Sequence, residues 1–114
     1  MSQPHKLSGR SLPIPARFAT WWIGCFDVKR EELLEVLGEP HFEEHDSLRT
    51  AGGSEDHWAF EFADGMKVGV LFRRPYDQAD IFADSSDVQA ALAWLEPLLK
   101  DREVKTGDGP VSVL

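Results

Sequence analysis

The sequence predicts an α+β fold: a single domain with an antiparallel sheet of about four strands, in the order β-α-β-β-β-α, and two helices packed on one face. Three observations carry this. His57 to Arg74, HWAFEFADGMKVGVLFRR, holds two apolar runs joined at Asp64-Gly65, the strongest hairpin signal in the chain. Two segments place apolar residues at helical spacing, Leu33, Val36 and Leu37 in the first, and Val88, Ala91, Leu92, Leu95, Leu98 and Leu99 in the second. At 114 residues the chain suits one domain with a core that needs no covalent staples.

Taken in order, residues 1–16, MSQPHKLSGRSLPIPA, contain three prolines and few large apolar groups, and are expected to form a disordered or extended amino-terminal arm. The globular domain is expected over 17–100. Phe18 to Asp27, FATWWIGCFD, is apolar on both alternating sets, which suits a strand covered on both faces, with a short helix after Pro15 as the other option. Asp27 can cap a helix over Val28 to Leu37, which Gly38 and Pro40 stop. Residues 39–56 read as a long acidic loop with room for a short strand around Phe42.

The hairpin allows two registers. A two-residue turn would pair Phe62 with Lys67 and mix polar with apolar residues on both faces. A three-residue loop, Ala63-Asp64-Gly65, with Gly65 left-handed in a G1 bulge, pairs Phe62 with Met66, Phe60 with Val68 and Trp58 with Val70. One face is then wholly apolar, so this register is the expected one. The face behind it, Ala59, Glu61, Lys67 and Gly69, would be open to a partner.

Ala79 to Ala83 can add a strand. Ser86 and Gln89 form a capping box for the second helix, which either kinks at Pro97 or ends near Glu96. Residues 101–114 form a carboxy-terminal tail able to supply an edge strand.

One cysteine, Cys25, permits no disulfide within the chain, and a reducing cytoplasm is the expected compartment. No apolar run approaches the ~20 residues that span a bilayer, so no membrane association is expected. The net charge is −8, and residues 27–64 hold twelve acids against three bases. That disfavours nucleic acid and favours a basic protein partner. Oligomeric state is not specified by anything in the sequence.

The acids of the loop and hairpin, Glu43, Glu44, Asp46, Glu55, Asp56 and Glu61, are the candidate partner-binding residues. The alternative is a small-ligand or metal site built from His41, His45 and His57, although Pro40 and the turn-rich flanks match no recognised ligand spacing. Cys25 lies in an apolar strand beside acids, which suits a structural thiol rather than a nucleophile. No carboxylate pair is singled out by an apolar pocket, and Gly52-Gly53 lacks the lysine and the strand-to-helix setting of a phosphate loop. No catalytic residue and no cofactor are therefore expected.

The segment ELLEVLGEP (Glu32 to Pro40), then Arg49, then WAFEFADG (Trp58 to Gly65) resembles a pattern of small uncharacterised bacterial and phage proteins. The chain is also similar to the compact acidic immunity proteins that neutralise polymorphic or contact-delivered bacterial toxins. The resemblance covers residues 27–84. It implies a non-enzymatic protein that occludes a basic toxin's active site, and it carries over no active-site residue.

Overall fold

A computed structural model describes residues 7–19, 21–45, 53–74 and 76–112. Within them the chain forms one antiparallel sheet of eight strands: β1 (Arg10–Ser11), β2 (Trp21–Asp27), β3 (Phe42–His45), β4 (Ser54–Glu61), β5 (Lys67–Arg73), β6 (Gln78–Ala83), β7 (Glu103–Thr106) and β8 (Gly109–Ser112). Their spatial order is β1-β4-β5-β6-β2-β7-β8, with β3 also paired to β4. Three short helices, α1 (Arg30–Leu37), α2 (Val88–Trp94) and α3 (Glu96–Leu99), and a 3-10 turn at Ala16–Phe18 complete it. The expected four-stranded sheet with two helices is therefore corrected. β3 falls where the sequence leaves room for a short strand around Phe42 and the tail does add to the sheet, whereas β1 and a second tail strand, of two and four residues, carry too little apolar alternation to be read in the sequence.

The hairpin adopts the bulged register. Trp58 pairs with Val70, Phe60 with Val68 and Glu61 with Lys67. The Phe62 amide donates to the Met66 carbonyl at 2.9 Å and the Gly65 amide to that of Phe62 at 2.8 Å. Gly65 has φ of 88°, which a side chain would oppose. Asp64 accepts from the Met66 amide and from Trp94 Nε1, tying the turn to α2.

Both helix starts differ from expectation. Asp27 ends β2 instead of capping α1, and the Glu32 carboxylate folds back to accept the Lys29 amide at 2.9 Å. Asp87, not Ser86, caps α2, with its carboxylate accepting the Ala90 amide. α2 stops at Trp94 and α3 restarts with Pro97 in its first turn, where a missing N–H costs nothing.

The core lies between the helices and one face of the sheet. Trp58, Phe60, Phe62, Val68, Val70, Phe72 and Ile81 meet Leu33, Leu37, Leu92, Leu95 and Leu99, all buried. Trp58 satisfies its indole N–H on the Gly38 carbonyl at 3.0 Å.

The opposite face, expected to be open, is covered over Gly69 by the 3-10 turn, and Ala59 beside it is buried as well. A Cβ on Gly69 would stand 2.6 Å from the Ala16 carbonyl oxygen and 2.8 Å from its Cα. In the described part of the amino-terminal arm, Leu7, Leu12 and Ala16 are buried. The tail supplies two strands, β7 and β8, rather than one edge strand. Trp21 and Trp22, in a strand expected to be covered on both faces, are 49% and 45% exposed because β7 meets β2 only near Cys25. Among the described residues no helix is long and apolar enough to cross a membrane.

Candidate functional site

Three consecutive polar residues, Glu55, Asp56 and His57, lie in β4 with no solvent exposure at all. Strand alternation sends Glu55 and His57 to one face of the sheet and Asp56 to the other, beside Trp58. Each buried acid is met by two arginines, as burial of a charge requires. Arg17, in the 3-10 turn, forks Glu55 through two bonds of 2.8 and 2.6 Å. Arg73, opposite on β5, brings its Nε to 3.6 Å of the same carboxylate and also binds Asp80, which accepts Trp22 Nε1 at 3.2 Å. On the helical face, Asp56 accepts from Arg30 at 2.8 Å and from Arg74 at 3.1 and 2.8 Å.

The electrostatics follow from these partners. The Arg17 bond holds the Glu55 carboxyl below the usual range against the upward push of burial. Burial pushes the Asp56 carboxyl up, but Arg74 and Arg30 together more than offset it. Burial pushes the His57 imidazole down, while Glu55 pulls the other way without prevailing.

The His57 ring is fixed on both sides. The Ala16 amide donates to Nδ1 at 2.8 Å, and the ring meets Phe42 edge-on at 5.4 Å between centroids. Because Nδ1 accepts a hydrogen bond, the proton of the neutral ring is assigned to Nε2. Nε2 lies 3.4 Å from Glu55 Oε1 and 3.9 Å from Glu44 Oε1, with no well-formed hydrogen bond among the described residues.

Glu44, Glu55 and His57 bring potential ligand atoms within 4.8 Å of one another, a different set from the expected His41, His45 and His57. The donor chemistry does not suit a metal. Nε2 carries the proton, and both Glu55 oxygens are already held by a guanidinium. The histidine trio does not converge either. His41 packs edge-on against Phe60 on the helical face with Nδ1 at the Ala59 backbone, whereas His57 faces the other way. The His45 backbone pairs with Ser54, and its side chain lies outside the described residues.

The expected partner-binding acids scatter. Glu55 and Asp56 are buried and cannot meet a partner, because a strand covered on both faces encloses whatever polar residues it carries. Glu43 binds Arg74, Glu61 lies between Arg10 and Lys67, and Glu44 stays partly open beside His57. Asp46 lies outside the described residues.

Sequence reasoning missed Arg17, Arg30, Arg73 and Arg74 as the partners of these acids. The available signal was the run Glu-Asp-His inside a strand otherwise rich in aromatic residues. It also missed that Trp21, Trp22 and Tyr76 are exposed. In a shallow depression at the start of α1, lined by Asp27, Val28, Lys29, Glu32 and Asp77, the side chains of Lys29, Glu32 and Asp77 are already paired with one another or with Arg102.

Comparison with protein families, curated proteins and solved structures finds no match.

Proposed function

We propose that the protein is a non-enzymatic cytoplasmic binding domain for a basic protein, acting in the manner of an immunity protein that occludes a toxin's active site. The observation that carries this reading is the adjacent pair Trp21 and Trp22, each about half exposed at the start of β2. Tryptophan is the residue most enriched among those that dominate binding energy at protein interfaces. Trp22 is also held in orientation through Asp80 and Arg73, so little of its freedom is left to lose on binding.

Charge supports the choice of partner. All six described arginines face carboxylates of this chain. Acids such as Glu31, Glu35 and Glu39 on and after the outer side of α1 remain exposed. They, with Glu43 and Glu44, take over the steering role first given to Glu55 and Asp56.

The test is affinity capture from the source organism at low and high salt, with wild type beside the pair Trp21→Ala/Trp22→Ala and the pair Glu31→Lys/Glu35→Lys. One basic protein should be retained at low salt, released at high salt and lost with both pairs. Retention by the tryptophan variant, or recovery of an acidic protein, would overturn the reading.

A further inference from the structure

We infer that the contact between Ala16 and His57 is a proton-operated latch: it holds residues 16–18 over the sheet while the imidazole is neutral and lets them go when the ring takes a second proton. This does not depend on the identity of any partner.

The argument is geometric. With Nε2 already carrying a hydrogen, the second proton must bind Nδ1, and Nδ1 faces the Ala16 N–H at 2.8 Å. Two N–H groups would then point at each other inside a fully buried site. The Ala16 amide would lose its acceptor, at the cost of a buried unsatisfied donor.

The same proton affects the second attachment of the turn. Arg17 is anchored by its fork on Glu55, and Glu55 Oε1 is 3.4 Å from Nε2. An imidazolium there competes with Arg17 for that carboxylate. Both ties of the 3-10 turn thus weaken together.

Every charged group around the ring enters this balance. Glu55 of β4 and Glu44 of β3 favour the imidazolium from the Nε2 side. Asp56, on the far face of β4, adds a weaker attraction. Arg17 of the turn opposes it. Arg73 of β5, next to Glu55 and neutralised in part by Asp80 of β6, adds further positive charge on that side. Leu71 of β5, directly opposite His57, is buried and carries no charge. Burial and Arg17 prevail, so the ring stays neutral below its ordinary range and the latch is closed at neutral pH.

Opening would uncover Gly69 of β5, over which Ala16 now sits. The proton therefore controls whether this sheet face is available.

Hydrogen exchange of the Ala16 amide, followed by NMR from about pH 7.5 to 5 alongside the ring nitrogens of His57, tests the latch. Ala16 protection, corrected for the intrinsic rate, should fall at least ~10-fold in step with His57, while the Ile81 amide in β6 keeps its protection. Loss of Ala16 protection only together with Ile81, or no loss as His57 titrates, overturns the proposal. Two variants sharpen it. His57→Asn, whose side-chain oxygen takes the place of Nδ1 and can accept the Ala16 amide without titrating, should remove the pH dependence, and its survival there would count against the latch. Gly69→Ala should lower Ala16 protection already at neutral pH, because the added methyl meets Ala16 backbone rather than a movable side-chain tip. Unchanged protection in that variant would mean that the turn does not depend on close seating over Gly69.

Discussion

The two faces of β4 are closed by different physics. On one, beyond the ion pairs of Asp56 near the start of the strand, Trp58, Phe60 and Phe62 are sealed under helices by apolar contact. On the other, Glu55 and His57 are tied to a single 3-10 turn by a guanidinium fork and one amide-to-imidazole bond. Apolar burial is non-directional and indifferent to protons. Polar closure depends on partner geometry and on each group keeping its charge state, so it can be undone by a small chemical change.

The contrast can be broken most severely on the apolar side. Phe60→Ala should cost ~3 to 5 kcal/mol in chemical denaturation through the cavity it leaves, and a loss under about 1 kcal/mol would show that this face is not the core. Next comes Arg17→Ala, which strands the Glu55 carboxylate in a site with no solvent exposure. About 3 kcal/mol is expected, the low end for one half of a buried pair, since Arg73 remains nearby. The reverse change, Glu55→Gln, leaves an arginine that can reach water, so roughly 1 to 2 kcal/mol follows. If Glu55→Gln proved the more damaging of the two, the polar closure would not be governed by desolvation of the acid.

Acid should then separate the two faces in stages. His57 is held neutral in the fold, so the unfolded chain binds its proton first. Stability should decline once pH falls below the ordinary imidazole value of about 6.5. Glu55 and Asp56 are held ionised, so their contribution persists above ordinary carboxylate values and is lost only at lower pH. Urea midpoints measured down this range should show two declines, and a single decline confined to carboxylate pH would remove His57 from the account. The smallest effect belongs to the rim. Glu61→Gln, in an exposed pair with Arg10 and Lys67, should leave the urea midpoint unchanged within error.

How much of this could be read beforehand differs between the same two faces. The apolar one was legible, since Trp58, Phe60 and Phe62 share a face only in the bulged register and Asp64-Gly65 suits its turn. The end of α1 was equally plain at Gly38. The polar face was not, because its closure depends on residues far apart in the chain. Arg17 meets Glu55 across a separation of 38 residues and the Ala16 amide meets His57 across 41, and no local pattern encodes such pairings. Acids were assigned to the surface by their usual habit, yet Glu55 and Asp56 sit mid-strand between two covered faces. The tryptophans of β2 misled in the opposite sense, their exposure following from how little of β2 is overlapped by β7.

The strand order carries a consequence for the sequence of folding events. β4, β5 and β6 are successive and joined by short turns, whereas β2 pairs Trp22 with Phe82 and Cys25 with Lys105. Ordering β2 therefore requires closing loops tens of residues long, with their entropy lost before any contact rewards it. β2 precedes β4, β5 and β6 in the chain yet would find its place after them, and the 3-10 turn preceding it would arrive no earlier. Substitutions in β2 should accordingly speed unfolding more than they slow folding, while those in the β4–β5 hairpin should do the reverse.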